Sequence, residues 1–294
     1  MTGVIAEAFI AACRDELEAP KPGNVHVYAS GHGMTAAQFE ASAAAAAGPL
    51  CASGARVGVR IRGAIEATIR AVGTNTNLGI VLLCAPLAAA ADRAQPVIAS
   101  GEHRAGGLRD ALIRVLDDLD VADAGDAFAA IVQASPAGLG HAERHDVYAP
   151  PKVTLKEAMA EAADRDLVAR QYATGFAAVF ELGIPLHAAA AARWSDPRIA
   201  TLAVFLGFLS RFPDSHIFRK HGPGPAAAVR QTAQKFDGLL GEAKDLSGLL
   251  TELLVWDADL KSRGLNPGTT ADLTVATLFC IRLQSVLPSA RISG

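Results

Sequence analysis

Apolar residues recur along this chain at spacings of three and four, and nowhere do they alternate with polar residues for more than a few positions. This regularity argues against a sheet, since a half-buried strand needs a period of two and a helix one of about 3.6. Alanine fills most of the space between larger apolar residues, which favours helix at every position it occupies. Val4, Ile5, Ala8, Phe9, Ala12 and Cys13 mark a first helix, expected to end near Glu18 because Pro20 and Pro22 cannot continue it. Thr35 with Gln38 makes a capping box before the alanines of 41–47. Thr154 with Glu157 makes a second, from which helical periodicity runs towards Leu182.

Further helices are expected over 55–72, from 79 onward, from Leu108 to beyond Leu116, around Phe128 and Ile131, and after Asp196-Pro197. Others fall over 226–242 and 246–261, with a last one opened by 266–269 and running to Leu283. Residues 92–107 read as a connection and 213–225 as a polar interruption. Residues 136–151, rich in Gly, Pro and His, read as a long functional loop. The fold class is therefore all-α, as one compact multi-helix domain over 1–294 with polar loops at helix ends.

Composition narrows the partners. A net charge of −3 leaves no basic footprint for bulk nucleic-acid binding. Cys13, Cys51, Cys84 and Cys280 show no paired metal spacing and sit in apolar runs, as buried thiols of a reducing compartment do. With Glu7 early and no basic leader, and with apolar runs too short and alanine-rich to span a bilayer, a soluble cytoplasmic protein is expected. Alanine-rich helical surfaces would also suit a homodimer.

Four polar clusters break this background. The loop Gly73-Thr74-Asn75-Thr76-Asn77-Leu78-Gly79 opens into an apolar helix, whose unpaired N–H groups and positive dipole end attract phosphate. Lys21, Asn24 and His26 are presented by a stiff Pro20-Lys21-Pro22-Gly23 turn. Asp214, His216, Arg219, Lys220 and His221 crowd titratable groups between apolar flanks. Asn266-Pro267-Gly268-Thr269-Thr270-Ala271-Asp272 places a carboxylate in a first helical turn, where the dipole stabilises it whatever its role.

In their order these clusters resemble the triphosphoribosyl-dephospho-CoA synthases. The resemblance rests on Lys21-Pro22-Gly23-Asn24-Val25, on the loop from Gly73 to Gly79, on the basic turn from Asp214 to Gly222, and on the stretch from Leu265 to Leu273. It departs from the family at Asn77-Leu78, where His-Lys is usual, and at Phe218-Arg219-Lys220-His221-Gly222, where a Ser-Arg-Gly-Gly turn is usual. The resemblance implies an all-helical transferase that joins ribose C1 of ATP to the 2′-hydroxyl of dephospho-CoA and releases adenine. Three other readings stand beside it: the same transfer onto a different coenzyme precursor, such as one of a pterin-type one-carbon pathway, a hydrolase of nucleosides or ADP-ribose with water as acceptor, or a nucleotide-binding accessory protein without this activity.

Such a reaction needs a carboxylate near the developing charge at C1, a base, an acid and Mg²⁺ for the polyphosphate. The expected catalytic residues are His26 and His216 for proton transfer, with Asp214 and Asp272 as carboxylates and Mg²⁺ ligands. Lys21, Arg219 and Lys220 would neutralise phosphate, while Asn24, Asn75, Thr76, Asn77 and Asn266 would orient the nucleotide. Asp166, beside Arg165 and Arg170, is a further carboxylate that an ion-paired helix face would explain equally well.

Overall fold

The computed structural model describes residues 2–94, 107–136 and 138–287. Among these residues the regular structure is all helix, with no strand and only isolated bridges at His26–Ala29 and Gly31–Met34. The connection expected over 92–107 lies largely outside the described residues. In order the helices are α1 (Thr2–Glu18), α2 (Ala36–Leu50), α3 (Val57–Val72), α4 (Leu78–Arg93), α5 (Leu108–Asp117), α6 (Val121–Ala134), α7 (Leu155–Ala162) and α8 (Leu167–Thr174). A π-helical stretch, Ala178–Gly183, leads into α9 (Ile184–Arg193). Then follow α10 (Pro197–Arg211), α11 (Ser215–His221), α12 (Pro223–Glu242), α13 (Ser247–Ser262) and α14 (Gly268–Val286).

Both capping boxes form, at Thr35/Gln38 and at Thr154/Glu157, and Asp120/Asp123 adds a third before α6. Two helices are apolar on every face and buried accordingly, α4 from Ile80 to Ala91 and α10 from Ile199 to Ser210. α14 is nearly as enclosed. These helices build two apolar clusters. Val204 and Phe208 of α10 and most of α14 belong to the first, in which Phe279 meets Phe9 edge-on at 5.7 Å. Ile199, Leu202, Phe205 and Leu206 of α10, with Ala271 of α14, belong to the second, beside α12 and α13. α10 and α14 thus carry side chains in both cores.

Two expectations from the sequence are corrected. The helix running from Thr154 towards Leu182 is broken, because Asp166 turns its carboxylate onto the N–H groups of Val168 and Ala169 and starts α8 anew. It breaks again at Gly175 and Phe176, both with positive φ. The widened turn that follows lies against α14: a Cβ at Gly183 would sit 2.4 Å from Thr277 Oγ1. The polar interruption at 213–225 is not irregular either, since Asp214 caps α11 and Pro223 stands at the first position of α12, where its missing N–H costs nothing.

Candidate active site

The turns and helix starts singled out in the sequence converge on a cavity of about 600 Å³. The N-terminal turns of α4, α11 and α14 reach its wall through Leu78 and Gly79, His216, and Gly268 and Thr269. α6, α7, α8 and the stretch 138–147 close the other side, and Glu16 of α1 and Asn24 lie at its edge. Of these starts α4 keeps open N–H donors for the space, whereas the Asp214 carboxylate takes the first donors of α11 and the Thr270 N–H of α14.

At α4 the arrangement is specific. Asn75 Oδ1 accepts the Leu78 N–H at 3.1 Å, and Val81 N–H returns to the Asn77 carbonyl, so the N–H groups of Gly79 and Ile80 fall among the helix's unpaired donors. Glycine at 79 lets Asp272 approach the backbone closely, since a Cβ there would lie 2.0 Å from Asp272 Oδ2 and would push the carboxylate aside. The Asp272 carboxylate rests on the Gly79 backbone and faces the cavity; among the described residues no hydrogen bond or ion pair holds it. Burial drives its pKa well above the ordinary carboxylate value, with the charges of Asp214, Glu16 and Asp166 adding to the shift and Arg219 opposing it.

Other expected residues line the same cavity. Asn24 Nδ2 donates to Asn266 Oδ1 at 2.9 Å, tying the first cluster to the last across the chain. Thr76 donates to Ser42 Oγ at 2.6 Å. Arg219 reaches Asp166 Oδ2 at 3.3 Å. His216 borders Gly268, and burial followed by the neighbouring Arg219 and Lys220 charges pulls its pKa down to about 4. At neutral pH it is an uncharged imidazole.

The rest are placed elsewhere. Lys21 is wholly enclosed, its ammonium on the carbonyls of Glu16 (2.6 Å) and Val25 (2.9 Å) and 2.9 Å from Glu16 Oε1. It does not reach the cavity, so the phosphate role is corrected to a buried counter-ion. His26 is buried against Asp257 (3.2 Å) and Lys261 (3.3 Å), which removes it from the proton-transfer position expected for it. Asp214 is also off the cavity wall. Its Oδ1 accepts from His216 N and Ile217 N, and its Oδ2 from Thr270 N and Thr270 Oγ1 at 2.8 Å each. With four donors on it the carboxylate has no lone pair to offer a metal, and its role is corrected to a shared cap of α11 and α14. Lys220 is exposed away from the cavity. Asn77 lies behind the wall, donating to Thr68 Oγ1 and sharing a pocket of about 10 Å³ with Glu16.

The cavity also contains residues that the sequence reading passed over. Arg144 and Glu161 pair at 2.6 Å on its rim, and Arg165 lies beside them. Glu16 is the most informative of these. It continues the buried row Phe9, Ala12, Cys13, so a carboxylate stands where the helical period calls for an apolar residue. That mismatch was the available signal. Among the described residues no three His, Cys, Asp or Glu side chains are grouped to enclose a metal alone.

Known proteins resemble this chain over most of its length. A family model described as ATP:dephospho-CoA triphosphoribosyl transferase matches residues 2–290. The fold is similar to a crystal structure from Archaeoglobus fulgidus provisionally assigned as a triphosphoribosyl-dephospho-CoA synthase. The TM-score is 0.60 at 25% identity, covering 83% of this chain and 98% of that one. No curated protein sequence matches the chain.

Proposed function

This chain belongs to the ATP:dephospho-CoA triphosphoribosyl transferase family, and from that premise we propose that its cavity joins ribose C1 of ATP to the 2′-hydroxyl of dephospho-CoA with release of adenine. The observation that carries the reading is the Asp272 carboxylate, on the cavity wall with no hydrogen bond or ion pair among the described residues and with only the Arg219 charge opposing its carboxylate neighbours. An uncompensated carboxylate among other carboxylates calls for positive charge. The proposed reaction supplies it twice, as Mg²⁺ on the triphosphate and as the charge that develops at C1 when the glycosidic bond breaks.

The donor set fits Mg²⁺. Magnesium is commonly held by one or two carboxylates, with phosphate oxygens and water completing its shell, so a three-residue protein cage is not required. Asp272 and Asp166, both on the cavity wall, would hold it. Bound there, the ion would neutralise the triphosphate while C1 reacts. The N–H groups of Gly79 and Ile80 would take phosphate oxygens. Arg219 and Arg165 would supply the positive charge that Leu78 lacks. Asn24 and Asn266, already paired, would present amide groups to ribose hydroxyls. The uncharged His216 can donate or accept one hydrogen bond but is a weak acid at neutral pH. Neither a different coenzyme precursor nor an inactive accessory protein is favoured by the family match. The same reading takes the enzyme to be cytoplasmic, with no nucleic-acid or membrane partner and with helical surfaces that would suit a homodimer. Among the described residues no single helix is long and apolar enough to cross a membrane.

The test is chemical. Incubation with ATP, Mg²⁺ and dephospho-CoA should release adenine together with a coupled product, resolved by chromatography. Adenine without a coupled product would make the enzyme a hydrolase, and ATP binding without adenine would reject dephospho-CoA as acceptor.

A further inference from the structure

Of the paired carboxylates on the cavity wall, Glu16 differs in that its cation, Lys21, is wholly buried with it. It is 4% exposed and borders the cavity; its Oε1 is the buried oxygen that meets Lys21, while among the described residues its Oε2 takes no hydrogen bond. Lys21 Nζ is 2.9 Å from Oε1 but directs its aligned hydrogen bonds to the Glu16 and Val25 carbonyls. The pair is electrically balanced, so unlike Asp272 it does not need a metal ion. Its second oxygen, Oε2, has no hydrogen-bond partner among the described residues and is the one left for the cavity. A lysine that fixes one oxygen of a carboxylate and leaves the other without a donor suits a proton acceptor, since a purely structural carboxylate would have both oxygens satisfied.

Resting on the transferase reading above, we infer that Glu16 is the base that takes the proton from the acceptor hydroxyl, and that Lys21 is the positioning residue that holds its carboxylate. In the step, the acceptor oxygen forms the bond to C1 as the C1–N9 bond breaks and its electron pair leaves with adenine. The hydroxyl proton passes to the Glu16 carboxylate and on to solvent, and adenine takes up one proton from solvent. An O–H and a C–N bond are exchanged for a C–O and an N–H bond, with no net proton change. Burial raises the pKa of Glu16 and Lys21 partly offsets the rise, which moves the group towards the range where a base works at neutral pH. The charges around the pair are Asp272 from α14, and Asp257 and Lys261 from α13 behind Lys21.

The experiment compares the wild-type enzyme with Glu16→Gln, Glu16→Asp, Lys21→Met and the double variant Glu16→Gln/Lys21→Met, measuring adenine release, ATP affinity by calorimetry and thermal melting. Removing both partners spares the fold an unpaired buried charge, so the double variant should be the better folded test. It should bind Mg²⁺–ATP within about threefold of wild type and lose kcat by at least about 100-fold, in the range of general-base contributions. Glu16→Asp should retain more activity than Glu16→Gln. In Lys21→Met the acidic limb of the kcat profile should move to higher pH, because a cation that favours the carboxylate has gone; a merely structural lysine would lower the melting temperature and leave that limb in place. A folded Glu16→Gln or double variant with kcat within about threefold of wild type overturns the inference. Loss of ATP binding together with kcat also overturns it, since Glu16 would then serve binding. A wild-type enzyme that releases no adenine rejects the transferase reading itself, and this inference with it.

Discussion

Asp272 is costly to the free protein. Its folded pKa lies above its unfolded one, so the folded state holds the proton more tightly. The contribution to stability is complete below the ordinary carboxylate range and is lost as pH rises through it towards the raised folded value. Asp272→Asn should therefore melt higher than wild type at pH 7, with the difference shrinking below about pH 4. It should also lose the stabilisation by Mg²⁺–ATP that wild type shows. Melts at the two pH values, with and without Mg²⁺–ATP, check this; a variant that melts lower at pH 7 would remove Asp272 from its uncompensated position. Gly79→Ala tests the same contact from the other side. Its Cβ would stand 2.0 Å from Asp272 Oδ2, and forcing the carboxylate away should cost about 1–3 kcal/mol and weaken nucleotide affinity. Equal melting temperature and equal affinity would mean the carboxylate is free to swing.

Among the elements, α11 and α14 are joined by one side chain. Asp214 accepts two hydrogen bonds from α11 and two from Thr270 at the start of α14, whose own N-cap, Pro267, offers none. An amide can accept only through its one oxygen, so Asp214→Asn sets an N–H₂ group against buried donors. It should lower stability by about 1–3 kcal/mol while leaving the Mg²⁺–ATP increment in melting temperature intact. A metal ligand would behave in the opposite way, with the free protein unchanged and the increment gone. Melting with and without Mg²⁺–ATP distinguishes the two. The same logic explains why the helix expected from Thr154 to Leu182 is several elements. Helical period persists through Asp166, but its carboxylate satisfies two N–H groups that a continuous helix would have used internally.

At the scale of the whole molecule, α10 and α14 carry side chains in both apolar clusters, so neither cluster can lose its packing alone. Trp194 and Trp256 both belong to the second cluster, whereas far-ultraviolet circular dichroism follows every helix. Denaturant unfolding followed by tryptophan fluorescence and by circular dichroism should give coincident transitions, as expected of one cooperative unit. Separated midpoints would mean two domains.

The sequence by itself determined the helical class, the capping boxes, most helix bounds and the polar turns that meet at the cavity, because period, proline and caps act through neighbours three or four residues away. It also pointed to Asn24, Asn75, Thr76, His216, Arg219, Asn266 and Asp272, all of which line the cavity. Only the tertiary structure decided which charges face it. Lys21 and Glu16 are five positions apart, and whether that lysine meets a phosphate or its neighbouring carboxylate depends on what closes over it. Asp214 and Asp272 look alike as acids at helix starts, yet Thr270 saturates the first and Gly79 leaves the second open. The difference lies in contacts between segments far apart in the chain, where burial and hydrogen bonding set a carboxylate's role and local pattern does not reach.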